Sequence, residues 1–329
     1  MKKQIPVIVI VTGFFAVFPF LKPDIYYLSA LFSLFMYVVL ACGWNILGGY
    51  TGYMNFGHAS FFGTGAYTSA LLLTKYGVSP FYTCSLGGLL AALLAGIIGW
   101  PCLRLRGPYF VLVTFCLGLV ARIIAMNLEF IGASSGLYLP FMKVSMFENR
   151  MVFYEAMLAI AFITVLIAIR IENSRFGLGL KAISQDEDSA ESQGVDALRL
   201  KILALVLSAF LAGTAGGIYS YYRGYVHPDF IFDVSTSILV VLMSLLGGST
   251  TWVGPVAGTF IVFIINEGLT AYANMAAESA RIVYGILLVI VILYLPDGLV
   301  GLLGKQKIFS QKQKIKNKHD LNSLSIFRN

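Results

Sequence analysis

The residues best suited to chemistry form one polar segment in an otherwise apolar chain. The segment covers residues 171–200, and its middle reads Ser-Gln-Asp-Glu-Asp-Ser-Ala-Glu-Ser-Gln-Gly over 184–194. Ser184 followed by Glu187 predicts a capping box, in which each side chain accepts a hydrogen bond from the other residue's backbone N–H. Gly194 is a typical residue to end a helix. The pattern therefore predicts one short helix that begins at Ser184.

The first turn of this predicted helix is acidic. Asp186, Glu187 and Asp188 lie where the helix dipole favours negative charge. A helix of roughly nine residues is below the length of about 12 to 15 residues at which isolated helices become marginal in water. Ala190 is its main apolar residue, so the helix has no apolar stripe to bury. We therefore expect a contact outside this helix to hold it in place. The alternative interpretation is a solvated connecting helix.

Other chemistry is poorly represented. The sequence contains no G-x-x-x-x-G-K-[ST] phosphate loop, no G-x-S-x-G and no H-E-x-x-H. His58, His227 and His319 lie far apart and lack metal-ligand spacing. We therefore expect no metal, no cofactor and no enzymatic activity on this chain. Arg122 and Glu267 are ionisable residues inside apolar stretches, and we interpret Arg122 as reaching the interface beside Glu129.

The composition indicates an all-α polytopic membrane protein. Of 329 residues, 58% are hydrophobic and 12% charged, and the mean hydropathy is +0.82. Several apolar runs approach the roughly 20 residues that a spanning helix needs, and they are continuous rather than alternating. We predict ten spans, at about 5–21, 26–47, 57–73, 80–100, 108–126, 151–170, 200–221, 230–247, 252–270 and 281–303.

The distribution of basic residues predicts the orientation. With ten spans and both termini in the cytoplasm, sixteen Lys and Arg residues lie inside and six outside, as the positive-inside rule requires. The cytoplasmic set includes the 172–200 loop. The third and eighth predicted spans are weak, since one is rich in Gly and Thr and Asp233 interrupts the other. Omitting either span would place basic segments on the outside, against the positive-inside rule.

Glycine marks two related segments. Residues 47–54 and 246–253 share the order Leu-Gly-Gly-x-Thr-x-aromatic-apolar, and each lies where a span meets a Gly-rich break. Paired interrupted helices in two halves of a transporter indicate its pathway, because unwound backbone at membrane depth is tolerated only inside protein or along a cavity. The alternative is a shared turn type. Our candidate pathway residues are Asn45, Gly48, Gly49, Asn55, His58, Gly247 and Gly248. Glycines inside the other spans predict close helix packing.

Five stretches resemble the permeases of branched-chain amino-acid ATP-binding-cassette importers. They are Gly43 to Gly52, Asn55 to Tyr67, Arg104 to Phe110 (Arg-Leu-Arg-Gly-Pro-Tyr-Phe), Leu246 to Gly258 and Leu295 to Gly301. The Arg-Leu-Arg-Gly-Pro-Tyr-Phe stretch and the long 172–200 loop resemble the M-type subunit. The outer stretch 131–137 departs from the family's usual Thr-Gly-Gly-rich pattern. That departure leaves the substrate open, with urea or another small polar solute as the alternative to leucine, isoleucine and valine.

The resemblance implies a multi-subunit importer in a bacterial inner membrane. The implied partners are a second homologous permease, two ATP-binding subunits that would hydrolyse ATP, and an extracytoplasmic substrate-binding protein. The 189–194 stretch is similar to the loop by which such permeases engage their ATPases. We therefore predict that the contact to the ATPases is formed by Ser184, Asp186, Glu187, Asp188, Ala190, Glu191 and Gly194.

Two features complete the sequence-based description. The permease domain is expected to cover residues 1–304, and a basic cytoplasmic tail residues 305–329. Six lysines between 305 and 318 are explained by attraction to anionic lipid. The rival of a different class is a self-sufficient carrier or channel.

Overall fold

The computed structural model describes residues 5–140, 145–267, 277–294 and 298–301, and it is almost entirely helical there. The helices are α1 (Ile5–Val17), α2 (Ile25–Thr51), α3 (His58–Tyr76), α4 (Pro80–Cys102), α5 (Pro108–Asn127), α6 (Met146–Glu172), α7 (Arg175–Gln185), α8 (Glu187–Ser192), α9 (Ala197–Arg223), α10 (Pro228–Ile231), α11 (Val234–Gly247), α12 (Val253–Glu267) and α13 (Ala277–Tyr294). Two short strands, β1 (Leu137–Tyr138) and β2 (Tyr225–Val226), pair antiparallel.

Each predicted span coincides with helical residues in the described ranges. Among the residues that the structure describes, six stretches are long and apolar enough to cross a membrane by themselves: α2, α4, α5, α6, α9 and the α10–α11 pair. Several apolar spanning helices confirm an all-α, multi-pass membrane protein. The interruption predicted at Asp233 is present, because its Oδ1 accepts a hydrogen bond from the Ser235 N–H at 2.9 Å and caps α11. The count of ten and the cytoplasmic termini stay predictions.

Small residues bring α3, α4 and α9 into backbone contact. A Cβ atom added to Gly65 would lie 1.9 Å from the Gly213 carbonyl oxygen, and one on Gly216 would lie 2.0 Å from the Phe62 carbonyl oxygen. These positions therefore admit only glycine at the present helix separation. Gly96 is an exception, since its nearest neighbour would be a Val206 methyl group at 3.5 Å. The predicted packing role of the intramembrane glycines is confirmed at Gly65 and Gly216.

Helix α2 lies at the centre of the bundle. The Phe32 ring stacks on the Tyr222 ring of α9 with 3.8 Å between centroids. On the other side, Ser244 Oγ of α11 donates to the Ala41 carbonyl oxygen at 3.0 Å. These contacts place α2 between α9 and α11.

Described parts of the loops that follow α3, α5 and α9, which the topology assigns to the outside, gather at one end of the bundle. Tyr225 Oη donates to the Ser135 carbonyl oxygen at 3.0 Å, and Lys75 Nζ donates to the Phe130 carbonyl oxygen at 3.0 Å. With the β1–β2 pair, these bonds close the ends of α3, α5 and α9 against one another.

Arg122 has a different partner from the one the sequence suggested. Its Nε donates to Asp229 Oδ1 at 2.8 Å, so α5 is joined to α10. The predicted pairing with Glu129 is wrong because α5 ends at Asn127, and Glu129 begins a separate 3-10 helix. The domain boundary at 304 and the basic tail of residues 305–329 lie outside the described residues.

Candidate functional site

At the opposite end, four connecting segments meet. They are break 1 (residues 52–57), the turn 103–107, the docking segment (residues 173–196, containing α7 and α8) and break 2 (residues 248–252). All four belong to loops that the topology predicts to be cytoplasmic. This end therefore contains every residue of the predicted ATPase contact and both Gly-rich breaks.

Helix α7 was not predicted from the sequence, which indicated only one helix beginning at Ser184. Ser174 caps it by accepting from the Gly177 N–H at 3.1 Å, and the helix continues through Ser184 to Gln185. Ser184 Oγ donates to the Lys181 carbonyl oxygen at 2.8 Å. The predicted capping box is thus wrong, because Ser184 lies in the last turn of one helix rather than before the first turn of the next.

Asp186 is the cap of α8 instead. Its Oδ1 accepts from the Ser189 N–H at 2.6 Å, and this bond holds the pKa of the Asp186 carboxyl below its ordinary value. Helix α8 ends at Ser192, so it is shorter than predicted. Gly194 has φ +88°, a left-handed conformation that favours glycine, which confirms the predicted end.

The docking segment is held by its own chain, contrary to the expectation that it needs an outside anchor. Ala190 is buried against Ile183 and Ala197, so it is not available to a partner. Glu187 turns inward. Its Oε1 accepts from Lys201 Nζ at 2.7 Å, and its Oε2 accepts from Tyr53 Oη at 2.5 Å.

Lys201 is the centre of this cluster. Only 1% of its surface is exposed, and its ammonium also donates to Tyr53 Oη at 3.0 Å and to the Leu103 carbonyl oxygen at 3.1 Å. A buried ammonium is stable only when paired and hydrogen-bonded, and here all three of its donors are used. One lysine therefore joins break 1, the turn after α4, α8 and α9.

The electrostatics of the cluster favour an ionised Glu187. Burial alone would raise the pKa of its carboxyl, but the hydrogen bonds from Lys201 and Tyr53 outweigh it and hold that pKa below its ordinary value. At the surface, Arg106 Nη2 lies 2.8 Å from Asp188 Oδ1, and the Asp188 side chain is 75% exposed. An ion pair this exposed contributes little to stability, so Asp188 remains accessible.

Break 2 is held at the other end of the docking segment. The Trp252 N–H donates to Glu172 Oε2 at 2.7 Å, and Lys181 Nζ lies 3.8 Å from Glu172 Oε1. Glu172 is the last residue of α6, immediately before the docking segment.

Glycines at the end of α2 and on either side of break 2 lie in close backbone contact. A Cβ atom on Gly49 would lie 2.6 Å from the Ser249 carbonyl oxygen, and one on Gly247 would lie 1.7 Å from the Gly254 carbonyl oxygen. Gly48 and Gly49 belong to the last turns of α2, whereas Gly248 lies beyond α11 with φ +110°. Gly49 therefore lets the end of α2 approach break 2, and Gly247 lets α11 approach α12.

The remaining candidate pathway residues are divided between core and cavity. Asn45 and His58 are buried between helices, and neither ring nitrogen of His58 has a hydrogen-bond partner among the described residues. Asn55 borders a largely apolar cavity of about 520 Å³ between α3, α4 and α5. The structure does not bring the seven candidates to one surface, and their role in the pathway stays a prediction.

A second depression, of about 960 Å³, lies beside α8. It is bordered by break 1, the start of α5 and Glu187. Within the described residues, no three His, Cys, Asp or Glu side chains lie close enough to hold a metal ion.

Comparison with known proteins decides the family. Residues 26–292 match the family model of the branched-chain amino acid transport system permease component. The chain belongs to this family. The permease is 28% identical over 293 residues to the high-affinity branched-chain amino acid transport system permease protein LivM of Escherichia coli, covering 80% of this chain and 68% of that one.

Two further relatives agree. LivM of Salmonella typhimurium is 28% identical over 295 residues, with 80% of this chain and 68% of that one covered. The permease protein LivH of Escherichia coli is 25% identical over 287 residues, with 80% of this chain and 91% of that one covered.

Sequence reasoning missed the residues that fix the docking segment of the permease. Lys201 and Tyr53 were not singled out, although a lysine in the first turns of an apolar helix and an aromatic residue at a matching repeat position were visible signals. Asp229 was missed because it lies 107 positions from Arg122.

Proposed function

We propose that this chain is the M-type permease subunit of an ATP-binding-cassette importer for branched-chain amino acids in a bacterial inner membrane. The observation that carries the proposal is the match over residues 26–292, with LivM relatives at 28% identity. A second permease is its partner, as the separate LivM and LivH relatives suggest. Two ATP-binding subunits would power it, and an extracytoplasmic binding protein would deliver the substrate.

The deciding experiment compares the permease alone with the complete importer in liposomes. We expect uptake of leucine, isoleucine and valine only when the ATP-binding subunits, ATP and the binding protein are present. Flux through the purified permease alone would instead favour a self-sufficient carrier or channel. Competition of leucine uptake by valine but not by urea would support the amino-acid assignment, and the reverse would favour a permease for a small polar solute.

We further propose that the exposed side of α8 contacts an ATP-binding subunit. Asp186, Asp188, Ser189 and Glu191 are exposed there, and Asp186 and Gly194 fix the two ends of the short helix. An acidic surface of this kind suits a basic groove on the partner. The other predicted contact residues have roles within the permease. Glu187 and Ala190 hold α8 in place, and Ser184 lies in the last turn of α7.

Charge reversal at Glu191 tests this contact. Glu191→Lys should reduce co-purification of the ATP-binding subunits, because a like charge would face the basic groove. Glu129→Lys is the matched control, since it reverses an exposed acid at the other end of the bundle. Normal assembly and normal uptake with Glu191→Lys would contradict the assignment.

A further inference from the structure

The docking segment is fastened to both breaks at equivalent positions. Tyr53 and Trp252 are the aromatic residues at the seventh place of the repeated Leu-Gly-Gly-x-Thr-x-aromatic pattern. Tyr53 donates through its hydroxyl to Glu187, and Trp252 donates through its backbone N–H to Glu172. One glutamate stands directly before the docking segment and the other begins α8. The docking segment, together with Glu172 directly before it, therefore bridges the two related breaks.

Each of these glutamates also has a lysine beside it. Lys201 Nζ lies 2.7 Å from Glu187 Oε1, and Lys181 Nζ lies 3.8 Å from Glu172 Oε1. The Glu187 side chain is only 14% exposed, so its bonds are little screened by solvent. Charge-assisted hydrogen bonds are short, directional and stronger than neutral ones. They hold Tyr53 of break 1 at a fixed position relative to α8.

A third contact joins the end of α2, immediately before break 1, to break 2. A Cβ atom on Gly49 would lie 1.9 Å from Asn45 Oδ1 of the same helix and 2.6 Å from the Ser249 carbonyl oxygen of break 2. Close-packed backbone transmits displacement instead of absorbing it. A shift of break 2 is thereby imposed on the end of α2, which continues directly into break 1.

We propose that Glu172 and Glu187 are positioning residues that form a two-point clamp, through which a displacement of α8 reaches both Gly-rich breaks together. The proposal rests on the proposed function in one respect, namely that α8 is the part displaced by an ATP-binding subunit. Each glutamate acts through another residue of the permease, Tyr53 or Trp252. Their action is to keep the docking segment and the breaks in register while the importer works.

The test uses the assembled importer in liposomes and measures solute imported per ATP hydrolysed. Tyr53→Phe removes one hydroxyl while keeping the ring, so α8 should still dock. We expect the imported solute per ATP to fall by about tenfold, the order of effect of one lost charge-assisted hydrogen bond, with ATP-binding subunits still co-purifying. Glu172→Gln weakens the contact to break 2, so it should lower the imported solute per ATP in the same way.

Tyr154→Phe is the matched control, because it also removes one tyrosine hydroxyl bond, from Tyr154 Oη to the Phe15 carbonyl oxygen at 2.9 Å. It should leave the ratio unchanged. Lys201→Arg, which retains a cation beside Glu187, should preserve more coupling than Lys201→Met.

Three outcomes would overturn the clamp. The first is a normal ratio in both Tyr53→Phe and Glu172→Gln, and the second is uncoupling by one of them alone. The third is loss of ATPase co-purification, which would make these residues part of the docking contact. If Tyr53→Phe fails to fold, Glu172→Gln decides the matter alone, and a normal ratio there refutes the proposal. Glu191→Lys tests the docking surface separately, so the two failures are distinguishable.

Discussion

A methyl group at Gly65 should force two helices apart. The added Cβ would lie 1.9 Å from the Gly213 carbonyl oxygen, 2.4 Å from its carbonyl carbon and 2.4 Å from its Cα. These atoms are backbone, so no side chain can rotate away. Since non-bonded carbon contacts stay beyond roughly 3.0 Å, α3 and α9 would have to separate by about 1.1 Å at this point.

The cost of Gly65→Ala can be estimated from that separation. Overpacking of a filled interior costs about 1 to 3 kcal/mol, and alanine returns up to about 1 kcal/mol through its higher helix propensity. A 1.1 Å gap also weakens dispersion contacts along the interface, because a gap of 0.5 to 1 Å already forfeits about a quarter to a half of each contact energy. We therefore expect a net loss of about 1 to 3 kcal/mol.

The assay is thermal unfolding of the purified permease in detergent, followed by tryptophan fluorescence or by loss of the monodisperse peak. Gly65→Ala should lower the midpoint by several degrees. Gly96→Ala is the matched control in α4, because its Cβ would meet a methyl group at an ordinary 3.5 Å. It should be neutral or slightly stabilising. Equal midpoints for the two variants would refute the assignment of Gly65 to a backbone contact.

Two further predictions concern charged groups. The lowered pKa of Glu187 means that its contribution is complete above its ordinary value of 4.5 and is lost as the pH falls through the lower value in the folded chain. A spin label at Ser192→Cys should therefore gain mobility on acidification below about pH 4.5, whereas a Glu187→Gln background should be mobile at every pH. The Arg122–Asp229 pair is only partly buried, so Arg122→Leu and Asp229→Asn should show a coupling energy of up to about 1 kcal/mol in a double-mutant cycle of thermal stability; additivity would show that the pair has no energetic role.

Local sequence patterns predicted helices and helix ends correctly where a single physical rule determined them. Spanning helices appear where apolar runs were long enough, and Asp233 and Gly194 interrupt or end helices as expected. The same Ser-x-x-Glu spacing, however, occurs twice with different results. Ser145 and Glu148 form a capping box at the start of α6, whereas Ser184 and Glu187 do not.

The difference lies in what precedes each serine and in what the glutamate can reach. Ser184 follows the amphipathic stretch of α7, whose buried face includes Leu180 and Ile183, so the helix continues through it. Glu187 finds stronger partners in Tyr53, 134 positions earlier, and Lys201, 14 positions later. A pattern confined to four residues cannot weigh those alternatives, so the tertiary contacts decided the outcome.

The cluster around Lys201 has a consequence for the order in which the permease is made. Tyr53, Leu103 and Glu187 all precede Lys201 in the chain, so every partner of its ammonium has been synthesised before α9. Burying an unpaired ammonium costs free energy. The Lys201 ammonium can pair with Glu187 as soon as Lys201 has been synthesised, because Glu187 precedes it in the chain. The end of the bundle that carries α8 can thus close during translation, before α11 and α12 exist. Break 2 is the last of the four segments at this end to be synthesised.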